Sequence, residues 1–185
     1  MGIAAMSIEA GPGIAGARLV DLSPHGDERG MFVETFRREW FSGVPDMVQT
    51  NVSTKQAGAV VGLHYHLRQA DYWYVIAGTA RVGLYDLRVG SPSEGTSWSS
   101  DFDDRSQRGL YIPPGVGHGF AAITDVTLLY QVDGYYDPAD ELGVAWDDPQ
   151  LDIEWGVCDP VVSERDRSCP RLASIPASIR PAFRG

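Results

Sequence analysis

Long apolar runs are missing from this chain: none approaches the roughly 18 residues that a membrane-spanning helix needs, which excludes that class. Basic charge is also scarce. Fifteen Lys and Arg stand against 25 Asp and Glu, for a formal net charge of −10. Such a surface repels a phosphate backbone, so no nucleic-acid partner is expected, although a local cluster of arginines would still serve a small anion. Cysteine is limited to Cys158 and Cys169, without CxxC spacing. This argues against a disulfide framework and for free thiols in a reducing, cytoplasmic compartment. The opening segment MGIAAMSIEAGPGIAGARLV lacks both a basic stretch and the Ser or Thr of an acylation signal, so neither a secretory leader nor a lipid anchor is expected. Internal repeats, low-complexity tracts and long helical periodicities are absent as well.

What remains is a chain of 185 residues, 43% apolar, expected to fold as one domain over 1–185 with a sizeable core. Short β-forming runs are separated by Gly, Pro, Asp and Ser clusters, the pattern of a mostly β sandwich or barrel. Strands are expected at 17–22, 31–36, 48–54, 72–77 and 80–88, then in LYIP, GFAAIT and VTLLYQV. SPHGDERG (23–30) reads as a turn, 36–41 as a helical turn, and VGSPSEGTSW (89–98) as a loop. SERDRSCPRLASIP reads as a short helix or irregular arm.

Chemistry concentrates between Gly58 and Gly78, in GAVVGLHYHLRQADYWYVIAG. A strand's side-chain period is two, so His64 and His66 are expected on one face. Asp71 follows, and His118 lies in PPGVGHGF. One face of one sheet is expected to collect all four. Three imidazoles and a carboxylate suit a divalent transition metal; an imidazole beside a carboxylate equally suits a base working near neutral pH.

The spacing G-x5-H-x-H-x4-D-x6-G resembles the first motif of the cupin superfamily, with Asp for the usual Glu. Pro113-x-Gly115-x2-His118 resembles part of the second. A closer resemblance runs through DERGMFVETF, QTNVST, GLHYH, ARVGLYDLRVGSPSEG, YIPPGVGHGF, LLYQVDGYYDP, WDDPQLDIEW and VSERD, from Asp27 to Asp166: the chain looks like a member of the dTDP-4-dehydrorhamnose 3,5-epimerase family. The resemblance implies a cupin-type antiparallel β-barrel, or jelly roll, with short helical segments at its termini and a C-terminal arm over 156–185. It also implies a homodimer in which strands up to about residue 57 are exchanged. The implied substrate is a dTDP-4-keto-6-deoxyhexose, epimerised at C3, C5 or both through an enolate during deoxysugar biosynthesis, without metal or organic cofactor.

Carried over by motif, His64 is the base, Asp166 its paired carboxylate, and Tyr130 the acid on the opposite face. Arg29, Glu34, Gln49, Asn51 and His118 match ligand-facing positions, with His66 and Asp71 beside them. Three positions depart from the family pattern. Val61 replaces an Arg before GLHY, and His66 and Asp71 accompany the loss of a Lys expected to stabilise the enolate oxygen. A carboxylate has the wrong sign for that task. Three readings stay open. In the first, Asp71 holds His66 as an imidazolium that takes over from the lysine. In the second, His64, His66, Asp71 and His118 bind a divalent transition metal in a cupin isomerase or oxygenase. In the third, the chain binds a sugar nucleotide without turning it over.

Overall fold

Residues 7–184 are described by the computed structural model of this chain. Two antiparallel sheets face one another. The first runs, in spatial order, β1 (Ser7–Ala10), β2 (Arg18–Asp21), β10 (Arg108–Ile112), β7 (Asp71–Ala77), β12 (Val126–Val132) and β5 (Gln49–Lys55). The second runs β13 (Leu142–Gly143), β6 (Ala59–Tyr65), β11 (Val116–Ala122), β8 (Thr79–Asp86) and β9 (Ser97–Asp103), with β14 (Val161–Val162) pairing in parallel with β6. Successive strands repeatedly change sheet, as in a jelly roll; the two sheets face each other without closing into a continuous barrel. Inward residues of both form the core, where Trp73, Val75, Leu110 and Leu128 pack with Val82, Leu84, Phe102 and Phe120. Each fully buried Leu or Phe side chain contributes about 1.5–3 kcal/mol.

The core layer ends where inward positions turn polar. On β5, Gln49, Asn51 and Ser53 are shielded while Thr50, Val52 and Thr54 face outward. These side chains cannot close an apolar interior, and a cavity opens between the sheets there. Across it, β6 carries a bulge. His64 lies opposite His118 and Val61 opposite Phe120, so two residues of β6 face the single Gly119. The bulge lets Val61 and His64, which a regular strand would send to opposite faces, both line the cavity. Glycine is required on both strands. A Cβ on Gly119 would lie 2.5 Å from the Val61 carbonyl oxygen, and one on Gly62, at φ +103°, would lie 2.8 Å from that of His118.

Several local expectations change. The segment read as a turn contains β3 (His25–Asp27), which forms a hairpin with β4 (Gly30–Phe32). Asp27 accepts the Arg29 N–H at 2.8 Å and fixes the tight turn between them. The strand expected over 31–36 therefore stops at Phe32. The loop expected over 89–98 gives way at Ser97 to strand β9, whose serine-rich edge buries little beyond Phe102 and so carries no alternating apolar signal. The helical turn near residue 40 is a 3₁₀ turn, Arg38–Trp40, and the C-terminal arm holds α1 (Glu164–Arg167) and another 3₁₀ turn, Leu172–Ser174.

Candidate active site

The cavity has a volume of about 400 Å³. On its second-sheet wall, the His64 Nε2 lies 2.6 Å from Asp166 Oδ1. Asp166 is supplied by α1, whose start is fixed by the Ser163 hydroxyl accepting the Asp166 N–H at 3.1 Å. The other carboxylate oxygen accepts the Gly62 N–H at 3.2 Å. Both side chains are secluded, His64 at 14% and Asp166 at 4% exposure. Burial by itself would raise the Asp166 carboxyl, but the hydrogen bond and charge of His64, helped by Gly62, outweigh it and hold the carboxyl below its ordinary value. Among the described residues Nδ1 of His64 has no hydrogen-bond partner, so one imidazole nitrogen is oriented by a carboxylate and the other is left for a ligand.

Tyr130 stands on the first-sheet wall, on β12 between Asn51 of β5 and Trp73 of β7. Burial, reinforced by the carboxylates of Asp71 and Glu141, pushes its phenol above the usual range. A phenol kept protonated in this way is a proton donor. Gln49 and Asn51 also line the cavity, joined by a 2.9 Å hydrogen bond.

His66, Asp71 and His118 meet at one end of the cavity, but not on one face of one sheet. His118 lies on β11 of the second sheet, Asp71 begins β7 of the first, and His66 follows the end of β6. His66 Nδ1 donates to the Asp140 carbonyl at 2.9 Å, and His118 Nδ1 to the Val116 carbonyl at 3.0 Å. Burial lowers His118 to about 4, against the opposing effect of Asp71. The expected His66–Asp71 ion pair is not a hydrogen bond, since Nε2 and Oδ1 are 4.0 Å apart. The expected four-ligand set also changes: three side chains converge within 4.8 Å, while His64 is held by Asp166.

Among the described residues, no Lys or Arg lines the cavity. Lys55, the chain's single lysine, stands outside the lining and donates to Ser53, which belongs to it. Two carboxylates, Asp71 and Glu141, are in the lining. Burial would raise Glu141, but Arg165, 2.6 Å away, holds it below its ordinary value. Arg29 and Glu34 are not brought to the cavity of their own chain. Arg29 is 85% exposed and paired with Asp27, and Glu34 is paired with Arg37. Sequence reasoning did not single out Trp73, Tyr136, Asp140 or Glu141. Asp140 accepts the Leu67 and Arg68 N–H groups at 2.9 and 3.2 Å and thereby fixes the chain beyond His66. Nothing in the run YYDPADE reveals contacts 73 and 72 residues away; only the paired tyrosines offer a signal.

Comparison with known proteins bears on this geometry. The family model described as dTDP-4-dehydrorhamnose 3,5-epimerase matches residues 12–174. A dTDP-4-dehydrorhamnose 3-epimerase of Streptomyces niveus is 38% identical over 180 residues, covering 92% of this chain and 87% of that protein. The crystal structure of a 4-keto-6-deoxy sugar epimerase from the novobiocin biosynthetic gene cluster of Streptomyces spheroides superposes with a TM-score of 0.91 at 34% identity, covering 97% and 94% of the two chains. A dTDP-6-deoxy-D-glucose-3,5-epimerase from Legionella pneumophila, solved with dTDP-4-keto-L-rhamnose, gives a TM-score of 0.91 at 30% identity and covers 98% and 100%.

Proposed function

The chain belongs to the dTDP-4-dehydrorhamnose 3,5-epimerase family, and from that membership we propose that it epimerises a dTDP-4-keto-6-deoxyhexose at C3, C5 or both by proton transfer between His64 and Tyr130. The observation that carries this reading is the placement of an oriented base and a protonated acid on opposite walls of one cavity. Nδ1 of His64 takes the proton from a carbon beside the C4 ketone. Its electron pair moves into the ring as an enolate, and the ionised Asp166 stabilises the imidazolium that forms. Tyr130 then protonates the same carbon from the other side. Inversion follows because donor and acceptor lie across the sugar. The phenolate and imidazolium reset by exchange with water, so each inverted carbon acquires a solvent hydron.

Gln49 and Asn51 are suited to hydrogen bonding the sugar nucleotide, and His118 to lining the pocket beside His64. Arg29 and Glu34 do not line the cavity of their own chain, but Arg29 lies in the turn of a hairpin and Glu34 just beyond it, beside Met31 and Phe32, which are 56% and 65% exposed. We assign that surface to a homodimer in which the hairpin region of one protomer approaches its partner's cavity and Arg29 meets the substrate's diphosphate. A monomeric mass in solution would overturn this assignment. The free thiols of Cys158 and Cys169 support a reducing, cytoplasmic setting.

Incubation with dTDP-4-keto-6-deoxyglucose in deuterated water, followed by proton NMR, tests the function. Deuterium entering at C3 or C5, with inversion there, is the expected result. Tight binding of the nucleotide with no exchange at either carbon would sink the proposal and leave a sugar-nucleotide binder in its place.

A further inference from the structure

The cluster at the end of the cavity contains an electrostatic gap. His66, Asp71 and His118 are 11, 5 and 6% exposed in their side chains. With Nδ1–H of each imidazole donated to a backbone carbonyl, Nε2 is the ring nitrogen that each neutral imidazole offers as an acceptor. Asp71 faces both: its Oδ1 lies 4.0 Å from His66 Nε2 and its Oδ2 lies 3.9 Å from His118 Nε2. Three acceptors converge with no protein donor between them. The separations are too long for a direct hydrogen bond, so a proton shared within either pair does not explain them.

We infer that His66, Asp71 and His118 form a binding site for one divalent transition-metal ion, facing the cavity beside His64. Two ligands about 2.1 Å from a common ion can be at most about 4.2 Å apart. Both His–Asp separations fall inside that limit; ligands at angles of about 90–109° lie roughly 3.0–3.4 Å apart, so the three side chains, whose ligand atoms lie within 4.8 Å of one another, draw in by about 1 Å as the ion binds. The surrounding contacts are those that orient metal ligands. Backbone carbonyls fix both imidazole tautomers, while Gln69 Nε2 and Trp73 Nε1 each donate to one oxygen of Asp71 at 3.0 Å. Two imidazoles and one carboxylate suit Fe, Co, Ni, Zn or Mn and leave further coordination positions open toward the cavity.

The ion's chemical role rests on the proposed ketosugar reaction. In a cavity lined by neither Lys nor Arg, a metal supplies the positive charge that polarises a carbonyl oxygen and steadies an enolate. Binding itself does not depend on that reaction, so the two ideas fail separately.

The test uses full-length protein without a polyhistidine tag, stripped with a chelator and titrated with Co²⁺. Uptake of about one equivalent is expected, with visible ligand-field absorption, quenching of tryptophan fluorescence through Trp73, and a melting temperature raised by several degrees. His66→Gln and Asp71→Asn should each weaken uptake at least tenfold. The His66 change, at the more open edge of the cluster, provides a folded comparison if the buried Asp71 change destabilises the chain. Uptake below a tenth of an equivalent by wild-type protein, or equal uptake by wild type and His66→Gln, overturns the site. Deuterium exchange at the sugar is read in a separate experiment and decides the epimerase proposal alone.

Discussion

Replacing Asp166 with Asn removes one charge from the base pair and keeps its shape. The carboxylate now accepts from both His64 Nε2, at 2.6 Å, and the Gly62 N–H, at 3.2 Å. An amide has one oxygen and one NH₂, so it cannot accept from both. If the oxygen faces Gly62, the NH₂ faces Nε2 and holds the proton of neutral His64 on Nδ1, the atom needed as base. If the amide flips, two N–H donors confront each other at Gly62 in a buried site, at a cost of about 1–3 kcal/mol. In either orientation the imidazolium loses a facing negative charge. At about 4 Å and an effective dielectric of 20, that charge is worth about 4 kcal/mol, or roughly 10³ in rate. The same substitution in a Ser-His-Asp triad, where the tautomer is also reversed, costs about 10⁴. Asp166→Asn should therefore lower kcat by about 10²–10⁴ while changing KM much less, measured by NMR of epimerisation with circular dichroism to verify the fold. A variant within threefold of wild-type kcat would refute the pairing of this carboxylate with the catalytic base.

Tyr130→Phe removes the acid but leaves His64 able to withdraw and return a hydron on one face; inversion should fall about 10²–10³-fold while deuterium wash-in without inversion persists, whereas parallel loss of both would assign abstraction to Tyr130. Away from the cavity, Asp86 is fully buried and accepts hydrogen bonds from Arg88, Ser91 and Ser93. Asp86→Asn strands the Arg88 charge and should destabilise the fold by about 3–5 kcal/mol, lowering the melting temperature by roughly 6–20 °C; a change below 2 °C contradicts that reasoning. Burial would raise the Asp86 carboxyl, but these partners hold it below its ordinary value. Its stabilising contribution is therefore present above the unfolded carboxylate pKa and lost as pH falls through the lower folded value, so the variant should show a flatter acid limb in denaturant melts.

Much of the jelly roll is legible because alternation and turn residues are local signals. QTNVST and VTLLYQV become β5 and β12 with nearly the expected bounds. The hairpin at 25–32 escapes that reading because Asp27 and Arg29 create it in a polar segment that does not alternate. The site is legible residue by residue but not in its grouping. Period-two counting puts His64 and His66 on one face, and both do line the cavity. It cannot anticipate that the bulge opposite Gly119 re-aims β6, that Asp71 approaches from the other sheet, or that Asp140 secures His66. Those relations depend on contacts between distant segments, which one-dimensional patterns do not record. The Asp166 assignment rests on motif resemblance, because an Asp in a four-residue helix carries no signal of its own.

Asp166 reaches His64 across 102 residues of chain, from a short helix that follows every strand of both sheets. The proposed machinery for proton removal is thus completed by a segment synthesised after the whole β scaffold. A nick or local fraying near α1 would leave most of the β scaffold standing and silence the base. Catalytic activity should consequently report the integrity of this segment before bulk spectroscopic signals do, making it the sensitive gauge of complete folding in this enzyme.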